Sequence, residues 1–245
     1  MFSALIAFAL VALAPQTVGY DNGEDVLRQM RERYDGDWYE TFTFVQEARF
    51  YSESGEVDKV ETWYESMRIP GKLRIDIWPI SQGRGVLFNN DVVYGIEQGQ
   101  VQPGRPLLHS LLLMGFDLYR QPADTTIAKV RDLGINLSRT YETTWQGRDV
   151  IVLGSSGETD TTSFQFWIDK ERLVFVRELN GRREVQFNAW KPVGDAWVAA
   201  EVVFLDGGRM TLKEIYQDMR FDVEIEDGAF SPQLNLVPAW VRAAS

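Results

Sequence analysis

Residues 57–78 read VDKVETWYESMRIPGKLRIDIW, and this stretch decides the fold class. Val57 to Ile69 and Lys72 to Trp78 are extended runs joined at Pro70-Gly71. In the second run Leu73, Ile75 and Ile77 alternate with Arg74, Asp76 and Trp78. That is the two-residue period of a strand with one buried face. Two such runs joined by a turn signal form a β-hairpin.

The pattern continues outward from Trp38 to about Glu226. Turn signals interrupt it at Ser54-Gly55, Asn89-Asn90-Asp91, Gln98-Gly99, Gln146-Gly147, Asn180-Gly181, Gly194-Asp195 and Asp206-Gly207-Gly208. Before the hairpin, a strand is predicted over Tyr39–Tyr51, with Phe42, Phe44, Ala48 and Phe50 on one face and Gln46 among them. After it, short strands are predicted over Gly85–Asn89, Val92–Glu97 and Gln100–Gln102. Longer ones follow over Leu137–Trp145, Arg148–Ser155, Ser163–Asp169, Leu173–Asn180, Arg183–Lys191, Ala196–Leu205 and Arg209–Phe221. The last strand slips parity near Gln217, which predicts a bulge there.

Three segments break the alternation. Asp21 to Tyr34 has helical spacing, with Asp21 or Asn22 as its cap and Val26, Leu27, Met30 and Tyr34 as its packed stripe. Arg105 to Tyr119 is predicted as a greasy helix, too apolar all round for an ordinary surface helix. A further helix is predicted over Asp124–Leu133, capped by Asp124 and stopped at Gly134. The expected fold is therefore α+β. About ten or eleven antiparallel strands exceed what a flat sheet tolerates, so they form a sandwich, a closed barrel or a curved half-barrel. The greasy segment needs a broad apolar surface, and the concave side of a strongly curved sheet offers one.

Parity then names the inward-facing residues: Phe42, Phe44, Ile75, Ile77, Leu87, Val93, Phe164, Phe166, Phe187, Val202 and Phe204. Leu108, Leu112, Met114 and Phe116 are the expected lid. Imperfect packing of lid against strands leaves an apolar pocket. An acyl chain buried there gains about 0.8 kcal/mol per CH2.

Composition narrows the chemistry. The chain has 245 residues, no Cys, one His and a formal net charge of −11. Zero Cys excludes disulfides, thiolate metal sites and Cys nucleophiles, and the acidic balance disfavours nucleic acid and anionic membrane surfaces. Residues 1–19 have no charged side chain, and Phe2 to Ala14 has the length of a signal-peptide core. We therefore expect a leader over 1–19, cleaved near Thr17-Val18-Gly19, and one domain over 20–245. No Cys follows the leader to accept a lipid, so only transient membrane association is expected.

Catalytic groups are sparse. His109 and Ser110 are sequence neighbours, and neighbours on a helix point about 100° apart, a poor arrangement for a dyad. Glu61 and Glu65 share a strand face, where acids are usually solvated, whereas a glycosidase needs its two carboxylates across a cleft. Gly83-Arg84-Gly85 lacks the Lys and following helix of a phosphate loop. No enzymatic activity, cofactor or metal is expected.

Several stretches, taken in order, resemble the periplasmic outer-membrane lipoprotein carrier and sorting family (LolA/LolB-like), with the RseB-type sensors alongside. They are the helix Val26–Tyr34 leading into Thr41–Arg49, Trp63-Tyr64, and residues 68–76 around Pro70-Gly71. Asn89 to Tyr94, Phe166-Trp167-Ile168-Asp169 and Asp227-Gly228-Ala229-Phe230 complete the set. The resemblance implies an unclosed β-barrel whose mouth is plugged by helices. It also implies lipid or lipoprotein acyl chains as cargo, handed on from an envelope donor protein to an acceptor. An RseB-like sensor that binds a protein partner is the alternative; a hydrolase using Glu61 or Asp76 is a third reading.

Overall fold

The computed structural model describes Tyr20 and residues 22–244. The expected leader over 1–19 lies outside the described residues. The first helix, α1 (Gly23–Arg33), is capped by Asn22, whose side chain accepts the N–H groups of Glu24 and Asp25 at 2.8 and 3.2 Å. Acidic residues in its first turn and basic ones in its last suit the helix dipole. Val26, Leu27 and Met30 are fully buried.

The strands follow in two meanders. The first is β1 (Thr41–Tyr51), β2 (Val57–Arg68), β3 (Lys72–Ile77), β4 (Arg84–Asn89), β5 (Val92–Glu97), β6 (Gln100–Val101) and β7 (Arg105–Pro106). Then come α2 (Ser110–Gly115), a 3-10 turn (Asp117–Tyr119) and α3 (Ala123–Asp132). The second meander is β8 (Thr140–Trp145), β9 (Arg148–Leu153), β10 (Gln165–Asp169), β11 (Val174–Asn180), β12 (Arg183–Val193), β13 (Ala196–Asp206) and β14 (Arg209–Phe221). A second 3-10 turn (Asp227–Phe230) and α4 (Ala239–Ala244) end the described chain.

All strands join one curved antiparallel sheet of order β6-β5-β4-β3-β2-β1-β14-β13-β12-β11-β10-β9-β8, with β7 beside β5. Pairing of β1 with β14 fuses the two meanders, and β6 and β8 are left as separate edges. The sheet is thus unclosed. Its fourteen strands exceed the ten or eleven expected, and only β7, within the stretch predicted as helix, matches none of the predicted segments. The bulge lies where parity slipped. Thr43 pairs with Arg220 and Val45 with Gln217, so β14 has an extra residue, and Asp218 turns to φ +47°.

The helical region departs from expectation. Of Arg105–Tyr119, only Ser110–Gly115 is α-helix. Pro103, Gly104 and Pro106 oppose helix at the start, and Pro106 sits on an edge strand, where a missing N–H costs no ladder bond. His109 caps α2 by accepting the Leu112 N–H at Nδ1, at 3.4 Å. Nor is Asp124 the cap of α3. Pro122 holds that position, and Asp124 in the first turn pairs with Arg28 of α1 at 2.6 Å.

Away from β2–β4 the interior is filled. Trp38 stacks on Tyr119 at 3.7 Å, and Tyr34 meets both edge-on at 5.0 and 5.5 Å. The Tyr119 hydroxyl accepts the Phe175 N–H at 3.1 Å. Residues 150–153, 165–169 and 174–176 are buried in unbroken succession, so β9, β10 and β11 are covered on both faces there. On the outer face of β2–β4 lies the C-terminal segment, where Ile225, Ala229 and Phe230 pack on Leu87 and Ile96.

Candidate ligand-binding cavity

Antiparallel pairing places directly opposed residues on one face, so register defines the lining. Along β1, Phe44 opposes Glu65 of β2, and Gln46 lies between Trp63 of β2 and Tyr216 of β14. Glu65 opposes Ile75 of β3, which opposes Val86 of β4; Met67 continues through Leu73 to Phe88. In the other meander Glu214 of β14 opposes Val202 of β13, which opposes Phe187 of β12. These residues face α2. Leu111, Leu112 and Phe116 close over them, with His109 at the rim, around a cavity of about 200 Å3.

The lid is tied at both ends. The Asp117 carboxylate accepts the Gly71 N–H at 2.8 Å, and the Leu107 N–H bonds to the Asp91 carbonyl at 2.8 Å. Burial pushes the Asp117 carboxyl up to about 6, against the opposing pull of the Gly71 N–H and Lys129. In the middle, the lid lies close on β12: a Cβ at Gly115 would sit 3.3 Å from the Phe187 ring. His109 meets Phe88 edge-on at 5.1 Å. Burial, with help from Arg183, drives the imidazole down to about 4, so it is neutral at pH 7.

Three polar side chains cross this apolar wall diagonally. Glu65, Gln46 and Glu214 occupy successive rows on β2, β1 and β14. Glu65 is 5 % exposed and Gln46 1 %; Glu214 is partly exposed. Burial pushes Glu65 well above the usual carboxylate range, and the nearby Glu214 pushes it further. Burial raises Glu214 to about 8, although Gln46 and Tyr216 favour its ionised form. Neither acid forms an ion pair among the described residues, and the Gln46 Nε2 has no hydrogen-bond partner.

Of the residues predicted from parity, Phe44, Ile75, Leu112, Phe116, Phe187, Val202 and Phe204 meet at the cavity. Phe42 stands behind Phe44 in a stacked row, 4.4 Å from it and 4.7 Å from Phe221. Met114 and Phe166 belong to the filled core, and Phe164 and Leu108 pack at its margin. Ile77 and Val93 share the concave face by register, opposite Trp63 and Phe88, but do not line the cavity. Leu87 is a correction. It opposes Arg74 and Tyr94 and packs under the C-terminal segment, on the outer face. Val86, Leu87 and Phe88 are all apolar, so parity had nothing to choose between.

Sequence reasoning also missed Glu65, Glu214, Tyr216 and His109 as lining groups. Glu65 was legible from its parity with Trp63 and Met67. Tyr216 and Glu214 become inward-facing only through the register with β1. Other candidates are occupied: Glu61 pairs with Lys59 at 2.7 Å and Arg84 at 3.2 Å, and Asp76 is bound by Arg74 at 2.7 and 2.8 Å on the outer face.

An open, curved antiparallel sheet with a helical lid over an apolar hollow defines a class of half-barrel folds. Solved structures of this class superimpose on the chain. A LolA superfamily protein from Nitrosomonas europaea is 12% identical, with TM-score 0.55, covering 86% of this chain and 97% of that one. A domain described as an outer membrane lipoprotein-sorting protein from Vibrio parahaemolyticus is 12% identical, with TM-score 0.57 and coverages of 86% and 97%. A DUF1329 family protein from Desulfovibrio piger is 13% identical, with TM-score 0.54 and coverages of 85% and 95%. The LolA-like fold expected from the sequence is thus the fold observed. By sequence, neither a family model nor a curated protein matches.

Proposed function

We propose that this chain is a non-enzymatic periplasmic carrier that holds the acyl chain of a lipid or lipoprotein between the concave strands and α2. The observation that carries this reading is the apolar cavity under a short, separately tied lid. Similarity of fold to a lipoprotein-sorting domain supports it. At about 30 Å3 for one water-sized group, 200 Å3 holds a short chain segment. A full acyl chain therefore requires Leu111, Leu112 and Phe116 to move aside. Each further CH2 buried returns about 0.8 kcal/mol toward that displacement. Release at an acceptor is the reverse, with α2 folding back onto Phe187. Glu61 and Asp76 are neutralised by bound cationic side chains, which supports a non-catalytic reading.

The test is lipid capture. The chain is expressed with export to the envelope, purified and extracted with organic solvent, and the extract is weighed by mass spectrometry. Stoichiometric acyl lipid is expected, as is displacement of a fluorescent fatty acid by that lipid. Absence of both, in the wild type and in a Leu112→Ala variant with a loosened lid, would overturn the reading.

A further inference from the structure

The polar diagonal does not fit a purely hydrocarbon cargo. An acyl chain satisfies neither Glu65 nor Glu214, and an anionic headgroup brings no cation to either. Buried carboxylates in proteins are paired or protonated, because an isolated charge in an apolar site is costly. Here a nine-tenths-buried acid and a second acid flank Gln46, whose Nε2 is itself unpartnered and almost fully buried. All three line one cavity. Two acceptors without a cation, set in an oily wall, describe a socket for a positive donor at the end of an apolar chain.

We infer that the cavity selects a single-chain amphiphile with a protonated primary amine, its ammonium seated between Glu65 and Glu214. This rests on the proposed acyl-binding role of the same cavity and names the polar end of its ligand. Three N–H donors of an ammonium suit two carboxylates set on the strands that flank β1. The Gln46 amide then faces an oxygen on the same head.

Proton balance follows from the geometry. The empty pair binds protons that an arriving ammonium displaces, so each binding event releases up to one proton to solvent while the amine keeps its own. Affinity therefore rises with pH up to about 8, where Glu214 ionises. It falls above about 10.4, where a primary amine loses its charge. Tyr216 adjoins the two acids, with Tyr39 beside it, and both hydroxyls stay neutral throughout this range. His109 on the lid is neutral too, and Glu61, farther along β2, is compensated by Lys59 and Arg84.

The experiment compares octylamine, octanol and octanoate by calorimetric titration at pH 8 in two buffers of different ionisation enthalpy. Octylamine is expected to bind at least tenfold more tightly than octanol, with proton release that octanol lacks, and octanoate is expected to bind most weakly. The double variant Glu65→Gln/Glu214→Gln is expected to erase the preference for octylamine over octanol. Equal binding of the three probes, or a preference that survives in the double variant, would overturn the amine assignment and leave the acyl cavity standing. Failure of all three probes, octanol included, would overturn the cavity reading itself. Proton release from the wild type decides the matter independently of how any variant folds.

Discussion

The two faces of strands β2 and β3 bury charge in opposite ways. On the outer face Arg74, only 1 % exposed, grips Asp76 through two bonds and reaches Ala229 and Asn235 of the C-terminal segment. One residue out of phase, on the inner face, Glu65 and Glu214 have no cation between them among the described residues. The outer cluster is complete, and it fastens the tail across the sheet. The inner cluster is incomplete, and it opens on a cavity. Burial alone does not distinguish a structural charge from a binding one; its partners do.

Breaking the outer cluster gives the largest expected effect. Arg74→Met leaves Asp76 buried without its partner and is expected to cost about 3–5 kcal/mol, read by urea denaturation at pH 7. Adding Asp76→Leu should recover most of the loss. If Arg74→Met alone proves neutral, the outer pair is not the fastening described here.

Breaking the inner cluster should act with the opposite sign. Glu214, raised to about 8 in the folded chain, binds more protons folded than unfolded. Its folded state is therefore most favoured below pH 4.5 and loses that advantage as pH rises toward 8. Glu214→Gln is expected to stabilise the protein by on the order of 3 kcal/mol at pH 9. The gain should shrink to little at pH 4, as unfolding curves at the two pH values would show. A variant less stable than wild type at pH 9 contradicts the assignment.

The lid gives the smallest effect. His109, depressed to about 4, contributes stability that is present above pH 6.5 and lost as pH falls toward 4. Local opening of α2, followed by amide hydrogen exchange of Leu112 and Leu113, should rise between pH 7 and 5 by about 1–2 kcal/mol of opening free energy. His109→Asn keeps a capping side chain and is expected to flatten this pH dependence. An unchanged opening free energy at the two pH values in wild type would remove His109 as the titrating group.

Much of this was legible in the residues. Hairpin turns, the capped helix α1 and the bulge near Gln217 rest on local signals: glycine at positive φ, an Asn before an apolar stripe, a slip in alternation. The lid was legible only as greasiness. The run of Leu, Met and Phe hid the shortness of α2, although Pro103 and Pro106 stand at its start and Pro106 lies on an edge strand. The C-terminal tail has no strong periodicity, so its place on the outer face was not foreseen. Leu87 was assigned inward because three successive apolar residues leave parity undefined.

By itself, the sequence determined that strands alternate, where they turn and that their oily side needs a cover, because side-chain periodicity is a property of neighbours along the chain. Only the tertiary structure decided which side is hollow. That choice depends on β14 returning to β1, on a one-residue bulge and on where α2 comes to rest. It alone sets Glu65 and Glu214, about 150 residues apart in sequence, on either side of the same strand.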